Sequence, residues 1–353
     1  MTFTQRVTTI TQDKIVPKTF DNYLDDNFLT YRIIANGKKW VGESLKIPAK
    51  LAKNTQGGSF AGNDEHSTGT VNVRRHLKYY LKAYEIPVAI PRLDQLVNAT
   101  DAQVLSLIKT EMESTAMDGA DDSADMLYGD GTGNGGKDFD GLANLADDGT
   151  VAGSVGTLSR TVWPTLAGYR LASGGLMNLT KLGAVFVNVA GGSASKQRPT
   201  LFLSDETRQS LYEQLLTPTV RANYDMGNAP MVTRRSRGAI PAGSFKGGQG
   251  FVSYIYRGVP WIADEKCGSD IWALNENYLD WYGLKDPQMQ QVSFGQTHDS
   301  SYNEQPTKNT GLQFSGMMRP TNQFGDVGHL YLLGNYTCSQ PRRQGIFTGV
   351  NTV

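Results

Sequence analysis

The pattern of apolar and polar positions is clearest between residues 98 and 133, where it predicts one long helix. Val104, Ile108 and Met112 recur every fourth residue, and Gly119 lies seven residues further on the same row. Such spacing places side chains on one face of a helix, which we expect to be buried. Glycine within a helix costs about 1 kcal/mol against alanine, unless another element packs closely over it.

Capping residues mark both ends of this helix. Thr100 is a candidate N-cap, and Gln103 follows three residues later at the capping-box position. Gly129 and Gly131 adopt positive φ easily and therefore predict the C-terminal stop. A helix over residues 100–128 would be about 42 Å long. We expect other elements to lie along a helix of this length.

Two apolar alternations flank a flexible segment and predict a long β-hairpin over residues 36–84. Leu45 and Ile47 indicate the first strand, and Val71 and Leu77 belong to the returning strand. The tip between the strands is rich in Gly, Ser and Asn. A two-stranded hairpin is at best marginal alone in water. We therefore expect that the chain cannot satisfy this hairpin by itself and that sister molecules complete it.

The remaining segments predict both strands and helices, so the fold class is α+β. Residues 1–35 are predicted to be an arm that ends in a short helix. Residues 201–216 predict a strand, a cap at Ser204 or Asp205, and a helix. Further predicted elements are a helix at 175–191, a β-hairpin turning at Arg257-Gly258, a strand pair within 271–286, and strands near 330–333 and 346–347.

Charge is distributed unevenly along a chain whose formal net charge is zero. Residues 36–92 hold ten Lys and Arg against four acids, whereas residues 111–148 hold eleven acids and one lysine. Complementary charged patches steer two protein surfaces together and fix the register in which they meet. We therefore predict that the basic hairpin contacts the acidic helix, in the same chain or in a neighbouring copy. The alternative is a solvated acidic face. The predicted interface residues are Lys38, Lys39, Lys46, Lys50, Lys53, Arg74, Arg75, Glu111, Asp118, Asp121, Asp122 and Asp125.

The composition bounds the classes of function that are open to this chain. Its 353 residues allow two or three domains. A pI near 6.9 argues against a protein that binds nucleic acid or membrane surfaces through charge. Neither a run of 18 apolar residues nor a signal-peptide pattern is present. Cys267 and Cys338 have no metal-ligand or redox spacing and are predicted to be free buried thiols.

The sequence shows no recognisable catalytic or metal-binding motif, so we predict no catalytic residue, metal ligand or cofactor. The four histidines form neither H-x-x-x-H nor H-E-x-x-H spacing, and no G-x-S-x-G is present. Within residues 129–138, Gly131, Gly133 and Gly136 have the G-x-G-x-x-G spacing of dinucleotide-binding loops, and residues 131–137 match the first seven positions of a P-loop. However, they follow a helix, and Asp138 stands where Ser or Thr should hold Mg²⁺. A nucleotide-binding enzyme using this loop remains the alternative from another class.

The order of these elements resembles the major capsid proteins of tailed double-stranded-DNA phages, which share the Hong Kong 97-type fold. The resemblance rests on the basic hairpin followed by IPRLDQLVNATDAQVLSLI, the helix ending in MLYGDGTGN, and the segment LFLSDETRQSLYEQLL. It continues through YRGVPWIADEKC, WALNENYLDWY and GNYTCSQPRRQGIFTG, and it covers about 300 residues in all.

The resemblance implies a shell protein with a peripheral and an axial domain. The helix at about 100–128 would be the spine of the peripheral domain. Because the hairpin begins near residue 36, we expect any scaffold to be a separate protein and no N-terminal cleavage. The implied domains are an N-terminal arm at 1–35, an extended loop at 36–84, a peripheral domain at 85–150 and 300–353, and an axial domain at 151–299.

The function implied by the resemblance is that of a major capsid protein. Its copies would form pentamers and hexamers of an icosahedral virion shell that encloses double-stranded DNA without sequence-specific binding. Assembly would take place in the cytoplasm of the host bacterium, with separate scaffolding, portal and decoration proteins as candidate partners and no membrane. An encapsulin-like compartment around cargo enzymes is the alternative that keeps the same fold.

Overall fold

The computed structural model describes residues 28–66, 68–93, 101–172, 175–191, 197–215, 253–286, 289–291, 311–321 and 324–351. The longer helices are α1 (Phe28–Ala35), α2 (Asp101–Tyr128), α3 (Leu179–Val189) and α4 (Glu206–Leu215). A single helical turn lies at Leu142–Leu145, and Gly133–Gly136 forms a turn with positive φ at Asn134 and Gly135. Turns of 3-10 helix lie at Pro164–Leu166, Glu265–Cys267, Glu276–Tyr278 and Pro341–Arg343.

The strands are mostly short, with two exceptions of ten or more residues. In chain order they are β1 (Lys38–Lys39), β2 (Ser44–Lys50), β3 (Arg74–Tyr80), β4 (Lys82–Pro91), β5 (Ser154–Val155), β6 (Leu158–Ser159), β7 (Tyr169–Leu171), β8 (Gly175–Leu176), β9 (Leu201–Ser204), β10 (Ser253–Tyr256), β11 (Val259–Ala263), β12 (Ile271–Leu274), β13 (Leu279–Gly283), β14 (Gln290–Gln291), β15 (Gln313–Phe314), β16 (Gly325–Cys338), β17 (Gly345–Phe347) and β18 (Val350–Asn351). The predicted α+β class is confirmed.

The predicted long helix is also confirmed, because α2 runs for 28 residues. Its predicted cap, Thr100, lies outside the described residues. At the other end, the N–H of Gly129 donates to the carbonyl of Asp125 at 3.0 Å, and Gly131 has a φ of +79°. A side chain at positive φ is strained, so glycine is the residue that lets the chain leave the helix here.

One side of α2 packs against the first sheet, whose strand order is β1-β13-β16-β15-β14 with β4 also paired to β16. The long strand β16 pairs antiparallel with β4 along its first part and with β13 along its last part. Ala116, Ala120 and Leu127 of α2 are buried in the core that includes this sheet. Gly119 faces Ile86 of β4 and Leu312. Of the predicted apolar stripe, Gly119 therefore lies on the buried face of the helix, and Met112 is half-buried.

The second sheet has the order β10-β11-β9-β12-β17-β7 and separates two apolar clusters. Successive side chains of a strand point to opposite faces. On β9, Phe202 joins the cluster formed with α3 and α4, whereas Leu201 and Leu203 join the larger cluster that contains α1 and α2. The predicted turn between β10 and β11 is confirmed, with positive φ at Arg257 and Gly258.

The prediction of a strand pair within residues 271–286 is wrong. Both strands exist, but β12 pairs with β9 and β17 in the second sheet, whereas β13 pairs with β1 and β16 in the first. The late strand β17 also lies in the second sheet. Local alternation predicts that a segment is a strand, but it does not predict its partner. The sheets do not test the domain boundaries given above, which remain predictions.

The two cysteines are free and buried, as predicted. Among the described helices, none combines the length and the hydropathy that crossing a membrane requires. In the part of the chain that the structure describes, no group of three or more His, Cys, Asp or Glu side chains is arranged to hold a metal ion.

The packing over Gly119 generates a stability prediction. A Cβ at this position would meet Ile86 at 3.5 Å and Leu312 at 3.6 Å, which are ordinary van der Waals distances. We expect Gly119→Ala to raise the free energy of unfolding by up to about 1 kcal/mol, because alanine restricts the unfolded chain and favours the helix. Urea unfolding of the unassembled subunit measures the change.

Gly141→Ala is the matched control, with the opposite expected sign. A Cβ at Gly141 would lie 2.2 Å from the carbonyl oxygen of Gly129 and 2.4 Å from that of Met126. These backbone atoms cannot move without distorting the end of α2, so this variant should lose at least about 1 kcal/mol. A loss of stability in Gly119→Ala would show that the helix packs more tightly than these distances indicate.

Candidate functional site

The inner face of the β2–β3 hairpin rests on its own chain. Leu77 and Tyr79 are fully buried. The N–H of Lys78 donates to the carbonyl of Gly156 at 2.8 Å, and the hydroxyl of Thr165 donates to the carbonyl of Leu51 at 2.9 Å. The expectation that the chain cannot satisfy the hairpin is therefore wrong for this face. The sequence pattern did not reveal that residues 154–166 would cover it.

The outer face of the hairpin carries cationic side chains in like-charged pairs. Lys46 lies directly opposite Lys78, and Lys50 lies directly opposite Arg74. Like charges in directly opposite positions destabilise a two-stranded ladder. We call these four residues the basic face. Three of them, Lys46, Lys50 and Arg74, are exposed, so an anionic surface laid over them would relieve the repulsion.

The other predicted basic residues are not on this face. Lys38, in β1, forms an ion pair with Asp280 and lies 5.3 Å from the centroid of the Tyr282 ring. Lys39 is exposed on the same short strand, and Lys53 is exposed near the hairpin tip. The guanidinium of Arg75 lies 5.7 Å from the centroid of the Trp163 ring. Trp163 belongs to the segment that supports the hairpin, so Arg75 contributes to the inner face.

The outward side of α2 carries a row of carboxylates. Glu111, Asp118, Asp122 and Asp125 are spaced by seven, four and three residues, which places them on one face of the helix. All four are exposed, and they lie opposite the buried stripe. We call this row the acidic stripe. Its Asp122 accepts a hydrogen bond from the hydroxyl of Tyr84 on β4. Burial, followed by that hydrogen bond, raises the pKa of Tyr84.

Part of the acidic helix is neutralised by a residue that the sequence interpretation missed. The amino group of Lys266 lies 2.8 Å from the carboxylate of Asp121 and 3.1 Å from that of Asp125. Burial lowers the pKa of Lys266, but the two carboxylates outweigh that effect and raise it overall. Lys266 therefore stays charged. More than 140 residues separate it from these partners, so sequence spacing gave no signal.

Lys266 belongs to a junction between α1, α2 and the second sheet. The buried carboxylate of Asp264 accepts from the hydroxyl of Tyr128 at 2.8 Å and from the N–H of Leu29 at 3.4 Å. The guanidinium of Arg32 in α1 donates to Glu276, with one N–O distance of 3.0 Å. These polar contacts fix the C-terminal end of α2, and hence the direction in which the acidic stripe points.

The glycine-rich loop after α2 is organised around a lysine. The amino group of Lys82 donates to the carbonyls of Gly131 and Asp138 and to the carboxylate of Asp140 at 3.0 Å. A phosphate site would instead present backbone N–H groups to the ligand. Carbonyl and carboxylate oxygens repel phosphate, so this geometry does not favour the nucleotide-binding alternative.

Comparisons with known proteins find similarity in structure only. No family model matches the chain, and no curated protein matches it. The capsid asymmetric unit of cyanophage A-1(L) matches with a TM-score of 0.72 at 12% identity, covering 99% of this chain and 100% of that chain. The capsid of a native GTA particle matches at 0.58 and 9% identity, with 99% and 98% covered.

This chain has the Hong Kong 97-type capsid fold. The holo-SrpI encapsulin complex from Synechococcus elongatus PCC 7942 is also similar, with a TM-score of 0.53 at 13% identity over 100% of this chain and 99% of that chain. In this capsid fold, the basic face and the acidic stripe are both exposed surfaces of one copy. Structural similarity at identities this low establishes the fold alone.

The ion pairs of Lys266 generate the second stability prediction. The side chains of Lys266 and Asp121 are 13% and 14% exposed, so removing the lysine leaves a carboxylate poorly solvated. We expect Lys266→Gln to lower the free energy of unfolding by about 1–3 kcal/mol. Arg319→Gln, which breaks an ion pair with a 55% exposed arginine, should cost less than about 1 kcal/mol. Equal losses in urea titrations would contradict this reading of the junction.

Proposed function

We propose that this chain is the major capsid protein of a tailed bacteriophage. Its copies associate as pentamers and hexamers into an icosahedral shell that encloses double-stranded DNA. The observation that carries the proposal is the full-length match to a cyanophage capsid asymmetric unit, with a TM-score of 0.72 over 99% of the chain. Subunit contacts of such a shell are of the obligate kind, above about 2,000 Å² in total.

The surfaces of the chain support assembly through the hairpin. The basic face has like charges in register, and the acidic stripe presents carboxylates along one side of α2. We infer that the hairpin of one copy lies over the acidic stripe of its neighbour. In that contact, the opposite charges offset the repulsion among the cations of the basic face and among the carboxylates of the stripe. Contacts of this kind register subunits more than they add affinity. Lys38 is excluded from this contact set because it pairs with Asp280.

The zero formal net charge agrees with a container for DNA that need not bind its contents tightly. On this proposal the protein assembles in the host cytoplasm and becomes part of the virion. Separate scaffolding, portal and decoration proteins are its expected partners. The chain itself carries no proposed catalytic role.

An encapsulin-like compartment is the second candidate, favoured by the similarity to the SrpI complex at a TM-score of 0.53. The content of purified particles distinguishes the two. If particles purified from producing cells still contain double-stranded DNA after nuclease treatment, the phage shell is supported. Particles that instead hold one defined protein cargo support the compartment.

Electron microscopy of the purified protein tests the proposed function directly. We expect closed particles with five-fold and six-fold clusters of subunits. A protein that stays monomeric under all assembly conditions, including co-expression with candidate scaffolding proteins, would overturn the proposal.

Charge reversal tests the contact between hairpin and stripe. We expect Lys46→Glu with Lys50→Glu to lower particle yield about tenfold or more, because the anionic hairpin is repelled by the acidic stripe. The subunit itself should not lose stability, since each new glutamate faces Lys78 or Arg74, and such pairs contribute about 0.2–1 kcal/mol. Particle yield by sedimentation and unfolding in urea measure the two effects separately.

A compensating reversal provides the control. Glu111→Lys with Asp118→Lys on the same chain should restore assembly of the Lys46→Glu, Lys50→Glu variant. Asp121, Asp122 and Asp125 are left unchanged, because they hold Lys266 or Tyr84 within the subunit. An unchanged particle yield for the Lys46→Glu, Lys50→Glu variant would contradict the proposed contact between the hairpin and the acidic stripe.

A further inference from the structure

An exposed aromatic side chain stands at the tip of the hairpin. Phe60 is 68% exposed, and its ring packs edge-on against His66 with centroids 4.7 Å apart. Its neighbours from residue 52 to residue 66 are also exposed. Burying a phenylalanine side chain contributes about 1.5–3 kcal/mol. Aromatic side chains, including phenylalanine, are enriched in the buried core of protein interfaces.

The hairpin holds this tip away from the body of its own chain. Its inner face is fixed to residues 154–166, and β3 passes into β4 with only Leu81 between them. Seven residues of β3 span about 20 Å. The tip therefore lies at the far end of the strands from β4, so its own β4 does not cover Phe60.

A cleft with a mixed polar and apolar lining lies at the C-terminal end of α2. It has a volume of about 280 Å³ and lies between β4 and the glycine-rich turn. Small-molecule sites usually have about 300–1,000 Å³, so this cleft suits one or two side chains better than a cofactor. The residues that line it include Ala83, Tyr84, Met126, Asn134 and Lys137.

The acidic stripe is longer than the row of like-charged pairs on the hairpin. The acidic stripe from Glu111 to Asp125 is about 21 Å long at 1.5 Å per residue, and the next residue, Met126, lines the cleft. On the hairpin, the like-charged pairs at Lys46 and Lys50 are about 13 Å apart, and the tip lies beyond them. A hairpin laid along the stripe with its tip toward the end of α2 brings Phe60 to the cleft.

We propose that Phe60 of one copy inserts into the cleft between β4 and residues 134–139 of a second copy. This inference rests on the proposed function, because it requires that copies assemble. The charges hold the hairpin along the neighbouring helix, and the inserted aromatic ring fixes its direction and position. The second copy is favoured as the occupant because the cleft continues directly from the acidic stripe that complements the basic face.

Disulfide trapping between two singly substituted chains tests this contact. One chain carries Phe60→Cys and the other Ala83→Cys, and they are co-expressed so that particles contain both. Cys267 and Cys338 are buried and should not react. After mild oxidation with diamide, we expect covalent dimers in the particles that disappear on reduction. A bond between different chains cannot arise within one copy.

Val41→Cys replaces Phe60→Cys in the matched control, because Val41 is equally accessible at 72% exposed but precedes β2 at the base of the hairpin. It should give no dimer with Ala83→Cys. Particles that form normally, yet show no more dimer with Phe60→Cys than with Val41→Cys, overturn the inference and leave the proposed function intact. Absence of particles from the unsubstituted protein overturns the proposed function.

A second measurement does not depend on cysteine chemistry. Phe60→Ala should raise the subunit concentration needed for assembly about tenfold, whereas Phe60→Leu should retain most of the assembly and Val41→Ala should change nothing. Because Phe60 is exposed in the subunit, the thermal unfolding midpoint of the Phe60→Ala subunit should equal that of the unsubstituted subunit. Assembly of Phe60→Ala at the same concentration as the unsubstituted protein also overturns the inference.

Discussion

The burial of one side of α2 is the constraint on which the rest of this structure depends. Small residues, Ala116, Gly119 and Ala120, let the helix approach the core that contains β4 and β16. A helix that buries one stripe must present the opposite stripe to its surroundings. The row of carboxylates on α2 is therefore directed outward by the packing of the other face. Tyr128, held by Asp264, fixes the end of the helix and the direction of this row.

The hairpin, like α2, has one face that is buried and one that is exposed and charged. Its inner face buries Leu77 and Tyr79 against the chain's own core, which keeps the strands ordered in a single copy. Its outer face keeps Lys46 opposite Lys78 and Lys50 opposite Arg74, at a cost to the isolated subunit. An arrangement that is repulsive in one copy and complementary to a surface of another favours assembly over the free subunit.

The capsid fold alone leaves the role of this protein open. Phage capsids, a GTA particle and an encapsulin all share it with this chain at 9–13% identity. Function resides in the surfaces that a fold presents and not in the fold itself. Here these are the basic face, the acidic stripe and the cleft after α2, and together they support a subunit that is completed by its neighbours.

The sequence by itself determined the local elements of this protein. The spacing from Val104 to Gly119 predicted α2, and Arg257-Gly258 predicted a turn, because periodicity and φ preferences act between near neighbours. The tertiary structure alone decided the partners. It placed β12 and β13 in different sheets, covered the inner face of the hairpin and brought Lys266 to Asp121. Such contacts join residues far apart in the chain, and no local pattern specifies which distant surface will be complementary.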